Sequence, residues 1–254
     1  MNLETAADAA ARAWLDALRM LAGTQPDGYF HETAAGTAEY MTGAPFATLN
    51  GITAFSRTPS AAEISECSDS ARLHQVPWTI QVRGDAVDPE IVAVAGDHGL
   101  AKREARPLLV RPLTPADAAD VPAARRVTAA DSLPYRRTMA AGFEAPEPLF
   151  AVFADPAVFA LPAARAYLVE VDGVPVASAF GIVTGGLAGV SNIAVPPPFR
   201  RKGYGRLATA AVLREAQLSG ARTAYLHSTP AGMPLYLDMG FTLAENWSVF
   251  AAND

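Results

Sequence analysis

Apolar positions along this 254-residue chain change period several times, and each change marks an element. Over residues 3–22, Trp14, Leu15, Leu18, Leu21 and Ala22 recur at helical spacing, which predicts an amphipathic helix. A strand is expected over Phe46 to Phe55, with Asn50-Gly51 marking a bulge or sharp bend. Ser60 followed by Glu63 is a capping-box pattern and predicts a helix from Ser60 to Leu73. Trp78, Ile80 and Val82 alternate within a strand from Pro77 to Arg83. Asp88 and Pro89 open a short helix to Val94, and Lys102 to Arg111 reads as the last strand of the first half.

Pro112 to Pro122 is rich in Pro, Ala and Asp and reads as a linker. Beyond it the pattern sharpens. A short strand (Arg125 to Thr128) precedes a helix that runs towards Gly142, with Thr128 and Asp131 as its capping pair. Tyr167 to Val171, Val174 to Thr184 and Leu187 to Val195 are three antiparallel strands, turned by Asp172-Gly173 and Gly185-Gly186. A helix from Gly205 to Leu218, a strand from Arg222 to Ser228, a short helix from Pro234 to Met239 and a final strand from Phe241 to Ala251 complete the order.

Half of the residues are hydrophobic, enough for a well-developed core in one large domain or two ordinary ones. The net charge of −6 argues against a nucleic-acid partner for the whole chain. Cys67 is the sole cysteine, so an intrachain disulfide and a multi-thiolate metal site are excluded, and the cytoplasm is the expected compartment. The N-terminus lacks a basic region leading into an apolar core, and no 18-residue apolar run suggests a membrane span. His31, His74 and His98 lack metal-ligand spacing and read as surface or capping residues; Cys67 reads as an inert thiol.

The chemistry concentrates at Arg200-Arg201-Lys202-Gly203-Tyr204-Gly205, between a strand and a helix. The first N–H groups of a helix have no intrahelical partner, and the helix dipole adds to their pull on anions. Gly203 and Gly205 let the backbone approach a phosphate, while Arg200, Arg201, Lys202 and Arg206 add positive charge. A tight turn with a solvated basic loop is the plainer alternative. The segment has no GK[ST] ending, and Ala208 stands where a G-x-G-x-x-G would need glycine.

With its flanks, this hexamer resembles the [QR]-x-x-G-x-[GA] acyl-CoA loop of the GCN5-related N-acetyltransferase (GNAT) superfamily. Asn192-Ile193-Ala194-Val195 before it, and Pro230 to Phe241 with Tyr236 four residues before Gly240-Phe241, strengthen the resemblance from about Arg125 onwards. The resemblance implies a mixed, mostly antiparallel α/β (α+β) sheet flanked by helices. It implies an N-acyltransferase that moves acetyl from acetyl-CoA, or another acyl from its CoA ester, to an amine of a small molecule or peptide. Pyrophosphate would sit on the amides of Arg201 to Arg206, with Tyr204 within that turn. Pantetheine would lie along Ile193, Ala194 and Val195, beside a bulge that parts two strands. Tyr236 would be the general acid.

The base is open. The strand before the loop carries Ser191 and Asn192 in place of an acid, which leaves Glu144, His227 or no dedicated base. A non-catalytic acyl-CoA sensor or scaffold is the alternative function. No metal is implied. Residues 1–118 echo the same order of elements but have Ser56-Arg57-Thr58-Pro59-Ser60 in place of the glycine loop. They are expected to form a degenerate GNAT-like copy without donor binding, joined in tandem to a catalytic domain at 119–254. Oligomeric state is open, with a homodimer among the assemblies allowed.

Overall fold

The computed structural model describes residues 2–253. Two compact units form. One holds the residues to Ala17 together with Leu109–Thr242, and the other holds Leu18–Leu108 together with the residues from Leu243. A linear division at 118/119 would assign both ends differently; here residues 2–17 go with the C-terminal unit and the last strand with the N-terminal one.

The N-terminal unit starts with the end of α1 (Leu3–Ala22). A hairpin of β1 (Tyr29–Glu32) and β2 (Thr37–Met41) follows, then β3 (Asn50–Ala54) antiparallel to β2. This hairpin lies outside the elements expected from periodicity, because its two strands are only four and five residues long. The strand expected from Phe46 starts instead at Asn50, after a 3-10 turn over Ala47–Leu49. α2 (Ala61–Ser68) is capped by Ser60, whose hydroxyl accepts the Glu63 N–H. It leads into β4 (Thr79–Arg83), parallel to β3. α3 (Pro89–Asp97) is capped by Asp88 and leads into β5 (Lys102–Pro112). Strand order in this unit is β1-β2-β3-β4-β11-β5, with β11 (Thr242–Ala251) antiparallel to β4. Ile52, Ile64, Leu73, Ile80, Val82 and Ile91 are fully buried between sheet and helices.

The C-terminal unit repeats that order. The expected linker is ordered: Thr114 and Asp117 cap a 3-10 turn, and Asp117 pairs with Arg111 at 2.7 Å. After β6 (Ala124–Arg126) comes α4 (Ser132–Phe143). A short helix α5 (Pro156–Phe159) precedes β7 (Ala164–Val171), β8 (Val174–Thr184) and β9 (Leu187–Ala194). Left-handed Asp172-Gly173 and Gly185-Gly186 make the two hairpin turns, the conformation that two-residue hairpins require. α6 (Tyr204–Leu218) crosses over to β10 (Thr223–His227), parallel to β9, and α7 (Met233–Asp238) follows. The order is β6-β7-β8-β9-β10, with residues 109–112 of β5 completing it beside β10.

α6 covers one face of this sheet, its Ala208, Ala211 and Val212 packed against Ala177, Ala179 and Val190. The contact is close: a Cβ at Gly181 would lie 2.5 Å from Val212 Cγ1. The first turns of α1 belong to the same unit, where the Thr184 hydroxyl donates to the Ala13 carbonyl at 3.0 Å.

Candidate active site

The site lies in the C-terminal unit, where β9 and β10 part company. They pair in parallel only at Leu187–Thr223, Ala188–Ala224 and Gly189–Tyr225. Towards the end of β9, on its β8 side, the register slips between Ser178 and Phe180. Asn192 takes up the extra residue in left-handed conformation (φ 52°), which asparagine adopts more readily than most residues. The Ser178 hydroxyl donates to the Asn192 carbonyl at 3.1 Å and holds the bulge. The rest of β9, Val190 to Ala194, diverges from β10 and leaves a cleft whose walls carry unpaired ladder groups.

Helix α6 begins at the open end of that cleft. Arg201 (φ 63°) and Gly203 (φ 86°) are both left-handed, and Gly203 is the N-cap with no side-chain cap. Among the described residues, no hydrogen bond engages the N–H groups of Arg201 to Arg206. A Cβ at Gly203 would meet open space, so the conformation and not crowding calls for glycine there. At Gly205 a Cβ would lie 3.3 Å from Leu235, 3.6 Å from Val195 and 3.9 Å from Ile193, so α6, α7 and the end of β9 converge at this point.

The four cations of the loop divide by role. Arg200 donates to the carbonyls of Val195 (3.1 Å) and Gly142 (2.9 Å) and pairs with Glu144, which braces the end of β9 against the end of α4. Arg206 pairs with Asp238 of α7. Both side chains are engaged by protein partners in this structure, and both stay half-exposed beside the loop. Arg201 and Lys202 are exposed, with Lys202 5.8 Å above the Phe199 ring.

Tyr236 lies on α7, edge-on to Phe241 with centroids 5.9 Å apart, and is packed against the same core as Ile193 and Val195. Among the described residues its hydroxyl has no hydrogen-bond partner. Burial pushes its pKa up from 10.0 to about 12. Of the two base candidates, Glu144 caps α4 at the surface in left-handed conformation, held by Arg200. His227 ends β10, past its last pair with β9, and its ring meets the Trp14 indole of α1 edge-on at 5.2 Å. Sequence periodicity gave no sign that the N-terminal helix reaches this wall, since it predicts a helix but not its docking face.

A helix start with left-handed Gly203 and free N–H groups, beside two parallel strands that part, is the α/β arrangement in the C-terminal unit. Residues 132–241 match the model of the "Acetyltransferase (GNAT) family", so the C-terminal half carries a GNAT domain. No curated protein matches the chain by sequence. Solved structures do, as folds. A GCN5-related N-acetyltransferase from Kribbella flavida aligns with TM-score 0.68 at 21% identity, over 98% of this chain and 96% of that one. A functionally unknown conserved protein from Staphylococcus epidermidis aligns with TM-score 0.62 at 12% identity, over 91% and 96%. A Drosophila protein aligns with TM-score 0.57 at 19% identity, over 99% and 90%. The likeness extends over both halves of the chain. Among the described residues no helix is long and apolar enough to cross a membrane.

Proposed function

We propose that the C-terminal unit is an acyl-CoA-dependent N-acyltransferase that moves acetyl from acetyl-CoA to a primary amine of a small molecule or peptide. The observation that carries this reading is the run of unpartnered N–H groups from Arg201 to Arg206, set at the mouth of the cleft between β9 and β10. Such a row favours a diphosphate, with Arg201 and Lys202 adding charge. Pantetheine extends along Ile193 to Val195 and takes the place of the strand partner that their main-chain groups lack. A main-chain N–H there polarises the thioester carbonyl.

The amine nitrogen attacks the carbonyl carbon, the carbon–sulfur bond breaks, and the thiolate takes the phenol proton of Tyr236. The phenolate recovers a proton from solvent. A pKa near 12 suits the role, since the phenol stays protonated wherever the enzyme works. His227, on the β10 wall, is the better-placed group to receive the amine proton, because Glu144 is held by Arg200. The N-terminal unit acts as a copy that binds no donor, and α1 lines the β10 side of the catalytic unit.

The lack of an acid on β9 favours a second reading, an acyl-CoA sensor without turnover. Thiol release from acetyl-CoA with a panel of amines separates the two. Tyr236→Phe is expected to lower kcat by about 10²-fold or more while donor binding persists. Donor binding without turnover across the panel supports the sensor, and no donor binding at all defeats both.

A further inference from the structure

The N-terminal unit, which has no role in the chemistry above, contains an open pocket of about 460 Å³ lined by His31, Thr33, Glu39, Glu63, Glu66 and Cys67. Its floor is Glu39 in β2, directly across the hairpin from His31. Glu39 is only 5% exposed, and its Oε1 is buried with no hydrogen-bond partner. An ionised carboxylate placed so is costly unless something pairs with it. The other acids around it do not help. Glu32 is paired with Arg19 at 2.7 Å, Glu63 is engaged by the Thr33 hydroxyl and the Ala35 N–H, and Glu66 stands exposed on the rim of α2. No arginine or lysine lines the pocket. The negative field is felt by Cys67, whose thiol is pushed up to about 11 by burial first and then by Glu39, Glu66 and Glu63.

We propose that this pocket binds an organic cation, the primary ammonium of an alkylamine, with Glu39 as its principal partner and Glu66 closing the rim. Among the described residues no group of three His, Cys, Asp or Glu side chains is arranged to hold a metal ion, which favours a cation that brings its own hydrogen-bond donors. A compact ammonium offers three rotatable donors and fits a single inward-facing oxygen, whereas a guanidinium fork needs two oxygens in one plane. The volume leaves room for a short aliphatic chain, with His31 and Thr33 along one side.

The test is calorimetric titration of the full chain, without CoA, with 1,5-diaminopentane, n-butylamine, guanidinium, tetramethylammonium and Mg²⁺. Saturable binding of the two amines is expected, and Glu39→Gln should weaken it by about tenfold or more, the loss of one charge-assisted hydrogen bond. The substitution keeps shape and removes a buried charge, so the fold should survive. A rise in melting temperature with amine, present in the parent and absent in Glu39→Gln, gives a second readout. Glu66→Gln is expected to weaken binding less. No amine binding, amine binding unchanged by Glu39→Gln, or preference for tetramethylammonium, guanidinium or Mg²⁺ would overturn the proposal. Tyr236→Phe should leave this binding intact, so failure here and failure of the transferase reading are distinguishable.

Discussion

Each unit contains two parallel strands joined through a helix: β3–α2–β4 in the N-terminal one and β9–α6–β10 in the C-terminal one. The first pair is clasped along the whole of β3's last four residues, from Gly51–Thr79 to Ala54–Val82. Gly51 (φ 125°) allows that approach, since a Cβ would lie 2.1 Å from the Thr79 carbonyl oxygen. The Asn50 amide ties the strand's start to the carbonyls of Ala44, Phe46 and Pro77. The helix start is closed as well, by the Ser60 cap. In the second pair the same positions are open: the strands part after Gly189, and Gly203 offers no side chain to the first turn of α6. One framework thus either satisfies its own backbone groups or leaves them without a protein partner. Few residues decide which, namely a bulge at Asn192 against a clasp at Gly51, and Gly203 against Ser60.

The largest effect is expected where the open pair is filled. Gly203→Val puts a β-branched residue in left-handed conformation beside the free N–H groups. It should weaken CoA binding by about a hundredfold, since each charge-assisted contact contributes about 1.5–3 kcal/mol. Calorimetry reads the affinity and circular dichroism confirms the fold. Affinity equal to the parent's would show that α6 is not the cradle. Gly51→Ala attacks the clasp. Strain and overlap with Thr79 should cost about 3 kcal/mol of stability in urea unfolding, with CoA affinity of the folded protein unchanged.

The change Ser60→Ala is gentler. Loss of the cap should cost about 1 kcal/mol and free N–H groups at α2, yet confer no CoA binding, because β3 and β4 stay paired. Binding of a second CoA to that variant would break the comparison. The smallest expected effect is on pH dependence. With the Tyr236 pKa raised from 10.0 to about 12, the phenol remains an acid through the ordinary tyrosine range. The kcat profile should show no descending limb near pH 10; one that Tyr236→Phe removes would contradict the assignment.

The helices and turns of the C-terminal half were legible because their signals are local. Thr128 with Asp131, Asp172-Gly173, Gly185-Gly186 and the Gly203–Gly205 segment act within a few residues of themselves. Strand parting was legible only through resemblance, since no property of Asn192 alone fixes a bulge. The commitments of Arg200 and Arg206 were hidden, because their partners lie 58 and 32 positions away along the chain, at Gly142 and Asp238. His74 is exposed and His98 is the C-cap of α3, in line with the surface-or-capping reading, and both also gather around Trp78, the second of them 5.8 Å from the indole. That cluster depends on α3 folding back onto the turn after α2, which no local pattern encodes. The short β1–β2 hairpin, and with it the Glu39 pocket, gives too few alternations to detect.

The last strand of each half is lent to the other unit: residues 109–112 of β5 finish the C-terminal sheet, and β11 completes the N-terminal one. During synthesis the N-terminal unit must therefore wait, a strand short, until β11 leaves the ribosome. Neither half expressed separately would carry a full set of strands. Gene fission between them should yield aggregation-prone fragments that recover only when both are made together.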